Sequence, residues 1–357
     1  MIDVFAGGGG TNVAGNINSL GTFARFKAPR GLTFNSIENV VYVADYNNHQ
    51  IRRVQTANAA VSTLAGAGCG KTGGCGNANG VGTFAGFFRP YSLTFDAARN
   101  AVYVSDSGNN LIRSVSLTST LVTTLAGCVK GCLGAADGVG TSVALRLPTG
   151  LALVNTTLFF ADSGNYIVRS MSLSSKVVST LAGASGTSAY IDGIGTFANF
   201  VSPQGLAYDA NRQVVYVADG DFAIRVLSLR SNVVKTLAGG GYGIQDGLGT
   251  LAQFDSPTGL AYDSPHDLLY VTEIGNSLLR SVMCASGLVS TVAGTMTPGA
   301  VNGVGTFSSF NIPFGLTFDG NGVLFIADSN NNLIRTVKVG IPITNSPTLA
   351  PVSQSVE

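Results

Sequence analysis

The feature that most constrains this chain is a six-fold internal repeat. A short apolar block ending in Ala-Gly recurs as VFAG, then TLAG four times, then TVAG, with its last residue at Gly7, Gly66, Gly127, Gly183, Gly239 and Gly294. Self-similarity at a near-constant period decides the architecture before any local reading does. Each block is followed by a polar turn such as NGVGT or DGVGT, a proline, and three more apolar runs of the types GLTF, VYVAD and LIRSV. Val, Ile, Leu, Tyr and Phe dominate the runs, and Gly, Asn, Asp and Pro separate them, which is the pattern of short strands joined by turns. A sustained 3.6-residue period is missing, apart from one-turn Thr-Phe-Ala-x-Phe pieces at Phe23/Phe26 and Phe197/Phe200. The 47 glycines also argue against helix. Four runs in each of six units predict an all-β, six-bladed β-propeller with four antiparallel strands per blade.

The ends of the chain fit that reading. The sixth unit runs GLTF (315–318), LFIAD (324–328) and LIRTV (333–337) and then lacks its fourth strand, whereas DVFAG at the start has no strands before it. Pairing the two would close the ring and leave no open edge between the first and last blades. Residues 1–340 are therefore expected to form one domain, although a length of 357 residues alone suggests about two. Residues 341–357, IPITNSPTLAPVSQSVE, are rich in Ser, Thr and Pro and read as a linker or tail, as if the propeller were cut from a longer protein.

Charged residues make up only 11% of the chain and the net charge is +1, so no global field draws it to DNA, RNA or an anionic membrane. No apolar run approaches the roughly 20 residues of a membrane span. The start, MIDVFAGGGG, has neither a basic nor an apolar signal region. Of five cysteines, Cys69/Cys75 and Cys128/Cys132 form two close pairs, which suit local disulfides in an oxidising compartment. Neither pair has the C-x2-C spacing of a zinc site. Cys284 stands where another unit has Leu117 and reads as a small buried apolar residue. GCGKTGG (68–74) resembles a phosphate-binding loop, but Ala65 occupies the place of the first glycine and no helix follows. It is better read as a surface loop in which Cys69 and Cys75 bracket Lys71.

DYNNHQIRRV (45–54) and DSGNNLIRSV (106–115), with Pro-x-Gly-Leu, x-Tyr-Val-Ala-Asp and Ile-Arg around them, resemble NHL repeats, propeller blades named for an Asn-His-Leu signature. The resemblance covers nearly all of residues 3–339, although Gln50 already departs from the third letter and the other units read NNL, NYI, DFA, NSL and NNL. It implies a propeller, and it implies RNA-binding, protein-binding or adhesive modules with a minority of enzymes among related folds. Fold alone therefore leaves function open.

Asp45, Asp106, Asp162, Asp219, Glu273 and Asp328 end the second strand of their units, and Arg52, Arg113, Arg169, Arg225, Arg280 and Arg335 follow six or seven residues later. A pattern repeated in every unit is read as structural: a turn carboxylate accepting backbone N–H groups, and an arginine spanning neighbouring blades. DSNNN and DGD lack the glycine and terminal glutamate of a calcium loop and read as Asx turns. His49 and His266 occupy ordinary repeat and loop positions.

Function should sit where equivalent positions differ. The residue after the loop proline does so, as Arg30, Tyr91, Thr149, Gln204, Thr258 and Phe314, and should ring the mouth of the central channel. Just outside it, Lys27, Arg89 and Arg146 make three consecutive blades basic, with Asp255 opposite. Such a ring suits an anionic or peptide ligand. The expectation is a non-catalytic module that binds protein or glycan through its loop-rich face, with no cofactor and no metal. Two histidines cannot build a three-histidine zinc centre. A calcium-carboxylate lactonase, the enzyme alternative, would need carboxylates at the mouth. An RNA-binding module would need a more strongly basic face. The paired cysteines, the Ser/Thr/Pro tail and a sequon at Asn155-Thr156-Thr157 point to an extracellular or cell-surface location.

Overall fold

A computed structural model describes residues 1–8, 13–67 and 76–340. It contains six antiparallel sheets, one per repeat. In the first, Pro29–Asn35, Val40–Asp45, Gln50–Gln55 and Val61–Ala65 lie side by side in chain order. The first strand of each sheet is innermost: Pro29–Asn35 touches both Pro90–Asp96 of the second sheet and Pro313–Phe318 of the sixth. The outer strand of the sixth sheet is Ile2–Gly7, paired antiparallel with Leu333–Lys338. The opening residues of the chain thus belong to its last blade.

The second strands, such as VVYVAD and AVYVSD, are buried from end to end. A strand packed on both faces needs a continuous apolar run rather than alternation, which is how these runs read. The core accordingly lies between blades. Between the last and the first, Phe26, Val41 and Val43 meet Ala6, Phe325 and Ile334. Equivalent clusters fill the other interfaces.

The repeated glycines have two distinct causes. Gly127, which ends a TLAG block, sits at φ +103°, where a side chain is strained, and its five counterparts share that conformation. The glycine of Pro-x-Gly is demanded by close approach instead. A β-carbon on Gly31, Gly259 or Gly315 would stand 2.5 Å from the carbonyl oxygen of Tyr91, Phe314 or Arg30 in the next blade. Five blades keep a glycine at that position, and the second, with Ser92, carries a small side chain there.

The NGVGT and DGVGT segments are more than turns. Gly80–Val81, Gly138–Val139, Gly193–Ile194 and Gly247–Leu248 form two-residue strands on the outer edges of their sheets, so four blades have five strands. A one-turn 3-10 helix follows each. This also separates the two phenylalanines of Thr-Phe-Ala-x-Phe: Phe26 and Phe200 are buried, whereas Phe23 and Phe197 are 74% and 83% exposed. Cys128 and Cys132 are joined by a disulfide, and Cys284 is free and buried. The expected Cys69–Cys75 pair, Lys71 and the 341–357 tail lie outside the described residues. No helix among the described residues is long and apolar enough to cross a membrane.

Candidate binding site at the channel mouth

The upper face is built by the segments leading into each first strand and by the turns after each second strand. A buried ion pair locks these together in every blade. In the second, Asp106 Oδ1 accepts the Phe88 N–H at 2.8 Å, while Oδ2 accepts from Asn109 Nδ2 at 2.8 Å and Arg113 at 2.9 Å. Arg113 also donates to the carbonyls of Gly86 and Ala78 and to Asn79 Oδ1. All of these belong to the segment entering the same blade. The arginine therefore ties its blade to its own lead-in and does not span to a neighbouring blade, contrary to the expectation from sequence.

Asp45–Arg52, Asp162–Arg169, Asp219–Arg225 and Asp328–Arg335 repeat the pair at 2.7–3.0 Å, with Glu273–Arg280 in the fifth blade, and every partner is fully buried. Burial pushes the Asp106 and Asp219 carboxyls up to about 6, which leaves them ionised at neutral pH. These groups offer nothing to a ligand. The Asn331 amide of DSNNN likewise donates to Asp328 rather than standing free.

The signature slot has a different job. His49, Asn110 and Asn332 adopt left-handed backbone conformations, and each side chain accepts an N–H from the following blade. The donors are Arg89 to His49 Nδ1 at 3.0 Å, Leu147 to Asn110 Oδ1 at 2.8 Å, and Ala28 to Asn332 Oδ1 at 2.9 Å. His49 must keep Nδ1 unprotonated to accept, and burial, helped by Arg89 and Lys27, lowers its pKa. A folded pKa below the unfolded value of about 6.5 gives stability that is present above pH 6.5 and lost progressively as pH falls from there through the lower folded pKa. His49→Asn keeps an acceptor and removes the titration, so the variant should lose less of its thermal midpoint than wild type between pH 7.5 and 5.5. Parallel losses would show that His49 does not titrate in folding.

The varied residues after the proline do gather at the mouth, but they turn inward rather than outward. Thr149, Thr258 and Phe314 are only 4–8% exposed. Tyr91 from the second blade donates its hydroxyl to Gln204 Oε1 of the fourth, across the channel, and burial raises the Tyr91 pKa. Gln204 Nε2 donates to Ser202 Oγ at 2.7 Å and Ser163 Oγ at 3.2 Å, and Thr149 Oγ1 donates to the Pro203 carbonyl at 3.1 Å. Arg30 lies over three rings, with its guanidinium carbon 3.5 Å from the centre of Tyr46, 4.4 Å from Phe314 and 4.9 Å from Tyr91.

Beside this plug opens a cleft of about 330 Å³, walled by Arg30, Tyr46, Tyr91, Tyr166, Ser163 and Gln204 among others. It spans the first four blades, the side that carries Lys27, Arg89 and Arg146, all of which stand at the surface except where their backbones are bound. Thr258 and Phe314 lie away from it. Arg89 is one position nearer its proline than Lys27 and Arg146, and it occupies the left-handed slot shared with Ala28 and Leu147. Asp255 is no rim carboxylate. It is 7% exposed, its N–H donates to Glu273 and its carboxylate accepts from Ser256.

Tyr46 and Tyr166 were not picked out by sequence reasoning. Both come from the turn after the second strand: Tyr46 stands where other blades carry Ser, Gly or Ile, and Tyr166 where they carry His, Asn, Phe or Ser. An aromatic there is a signal that could have been read.

No family model matches the chain. It is similar to NHL repeat-containing protein 2 of Bos taurus, with 29% identity over 363 residues, covering 97% of this chain and 43% of that protein. It is 27% identical over 325 residues to Protein SUPPRESSOR OF QUENCHING 1, chloroplastic, of Arabidopsis thaliana, covering 87% of this chain and 30% of that protein. The chain thus spans less than half the length of these relatives. Among solved structures, an auxiliary nutrient binding protein from Bacteroides thetaiotaomicron superposes with a TM-score of 0.67 at 15% identity, over 94% of this chain and 75% of that one. At that identity the likeness speaks for the fold alone.

Proposed function

We propose that this chain, an NHL-repeat β-propeller, is a non-catalytic binding module of a larger protein, and that its ligand seats in the cleft beside the channel mouth. One observation carries the reading. Of the six varied residues after the loop proline, Arg30, Phe314, Tyr91, Gln204 and Thr149 touch one another in series at the mouth, and four of the six wall a cleft of about 330 Å³, within the range of small-ligand sites. The buried ion pair that locks each blade keeps a carboxylate and an arginine in all six. The mouth positions do not repeat in this way. The Bacteroides neighbour, described as nutrient-binding, is consistent with this use of the fold. A protein or glycan partner fits the size of the site.

Tyr91→Ala with Gln204→Ala should reduce binding of whatever an array of glycans and peptides retains by at least ~10-fold, since both truncations empty the wall of the cleft. Full retention by the double variant, or turnover of a lactone substrate by the wild type, counts against the reading.

Ile2–Gly7 closes the ring by completing the sixth blade. The protein works in an oxidising, extracellular or surface setting, a reading supported by the Cys128–Cys132 bridge and by the exposed sequon Asn155 on the turn before Thr157–Asp162. Peptide mapping without reductant should find Cys128 and Cys132 linked; free thiols at both would count against that location.

A further inference from the structure

From Arg30 and its surroundings we infer that the cleft takes a sugar ring carrying a carboxylate, a hexuronate at the end of an acidic glycan. This rests on the binding reading above and adds the chemistry of the ligand.

The guanidinium of Arg30 is held by three aromatic rings, yet among the described residues it makes no hydrogen bond and no ion pair. The rings hold the cation by its charge over their faces and leave its N–H groups without a partner among the described residues. A guanidinium fork so left matches a carboxylate, which accepts two parallel N–H bonds. The other arginines of the repeat show the contrast. Arg52, Arg113 and their counterparts are saturated by a carboxylate and by backbone carbonyls.

No Asp or Glu among the described residues lines the cleft, so an incoming anion meets attraction from Arg30 with no like charge on those walls. Neutral hydroxyls supply the remaining polarity. Ser163 and Ser202 each accept from Gln204 and keep their own O–H to donate. Tyr166, half-buried in the cleft wall, has no ring or cation partner among the described residues. Its face is a platform for the C–H side of a pyranose. An anion fork, hydroxyl donors and a bare aromatic face together describe a uronate better than an acidic peptide side chain, which would use the fork alone.

Isothermal titration of the full chain with galacturonate, its methyl ester, galactose and N-acetylglutamate tests this. Galacturonate should bind with a Kd on the order of 1 mM, as expected for a ligand of about a dozen heavy atoms. The ester, galactose and N-acetylglutamate should each be at least ~10-fold weaker. Arg30→Gln and Tyr166→Ala should each weaken galacturonate by ~10-fold or more. The ester comparison uses unaltered protein, so it decides the matter even if Arg30→Gln disturbs the mouth.

Equal binding of acid and ester, or no effect of Arg30→Gln on a folded variant, overturns the uronate. Equal binding of N-acetylglutamate overturns the sugar. If galacturonate fails while another array ligand binds and is lost in the Tyr91→Ala/Gln204→Ala variant, this inference falls and the binding reading stands. If no ligand depends on any mouth residue, both fall.

Discussion

Replacing Arg113 by Met should cost the propeller about 3–5 kcal/mol of stability, read as a shift of the denaturant midpoint. Met retains most of the volume, so the loss reports the charge and its hydrogen bonds rather than a cavity. Asp106 would be left fully buried without the cation that holds its pKa down, driven toward the protonated form, with only the Asn109 amide and the Phe88 N–H as partners from the original set. The lead-in carbonyls of Gly86 and Ala78 would lose their donor as well. Breaking a buried pair from one side costs more than removing both charges. Asp106→Leu with Arg113→Met should therefore recover part of the loss. A single-variant cost below ~1 kcal/mol would show that water or rearrangement satisfies Asp106 and that the pair is not what locks each blade to its lead-in.

Removing residues 1–7 should be at least as damaging, because it strips the outer strand from the sixth sheet. Leu333–Lys338 would lose its partner strand and present a row of unpaired N–H and C=O groups. The interface between the last and first blades would lose Ala6 and the edge contact of Phe5 with Phe325, and Ile2, fully buried, would leave its own pocket in the sixth blade. Burial of Ile2, Val4, Phe5 and Ala6 is worth about 3–6 kcal/mol by apolar area. The truncated chain is expected to unfold at lower temperature and to associate through the bared edge. Addition of a peptide of residues 1–7 should recover part of the midpoint. A truncation that stays monomeric with an unchanged midpoint would mean that the ring does not depend on that strand.

The architecture was legible because a blade is specified locally and six times over. Each TLAG block ends in a left-handed glycine, each second strand is apolar on both faces, and each Asp is followed by its Arg at nearly fixed spacing. The mouth was legible only as an address. Which way Thr149, Thr258 and Phe314 point depends on what faces them across the channel, and no single repeat contains that information. Tyr91 reaches Gln204 from a unit two blades away. Arg89 was grouped with Lys27 and Arg146 because all three are basic and precede the proline, yet a one-residue offset places it in the left-handed slot. Asp255 looked like a rim charge because its neighbours in other blades are surface residues. Its side chain packs against Gly275, where a β-carbon would collide with the carboxylate, and that glycine lies in a separate segment of the blade. The two-residue edge strands escaped notice because a Gly-Val pair carries no period of its own.

The central claim is that this propeller binds through its upper face. The measurement that tests it most directly is amide hydrogen exchange, with and without the ligand that an array of glycans and peptides retains best. Slowed exchange confined to the backbone around Arg30, Tyr91, Tyr166 and Gln204 is the predicted result. Protection of the opposite face instead, in the turns around Asn58, Ser119 and Ser231, with the mouth unchanged, would contradict it.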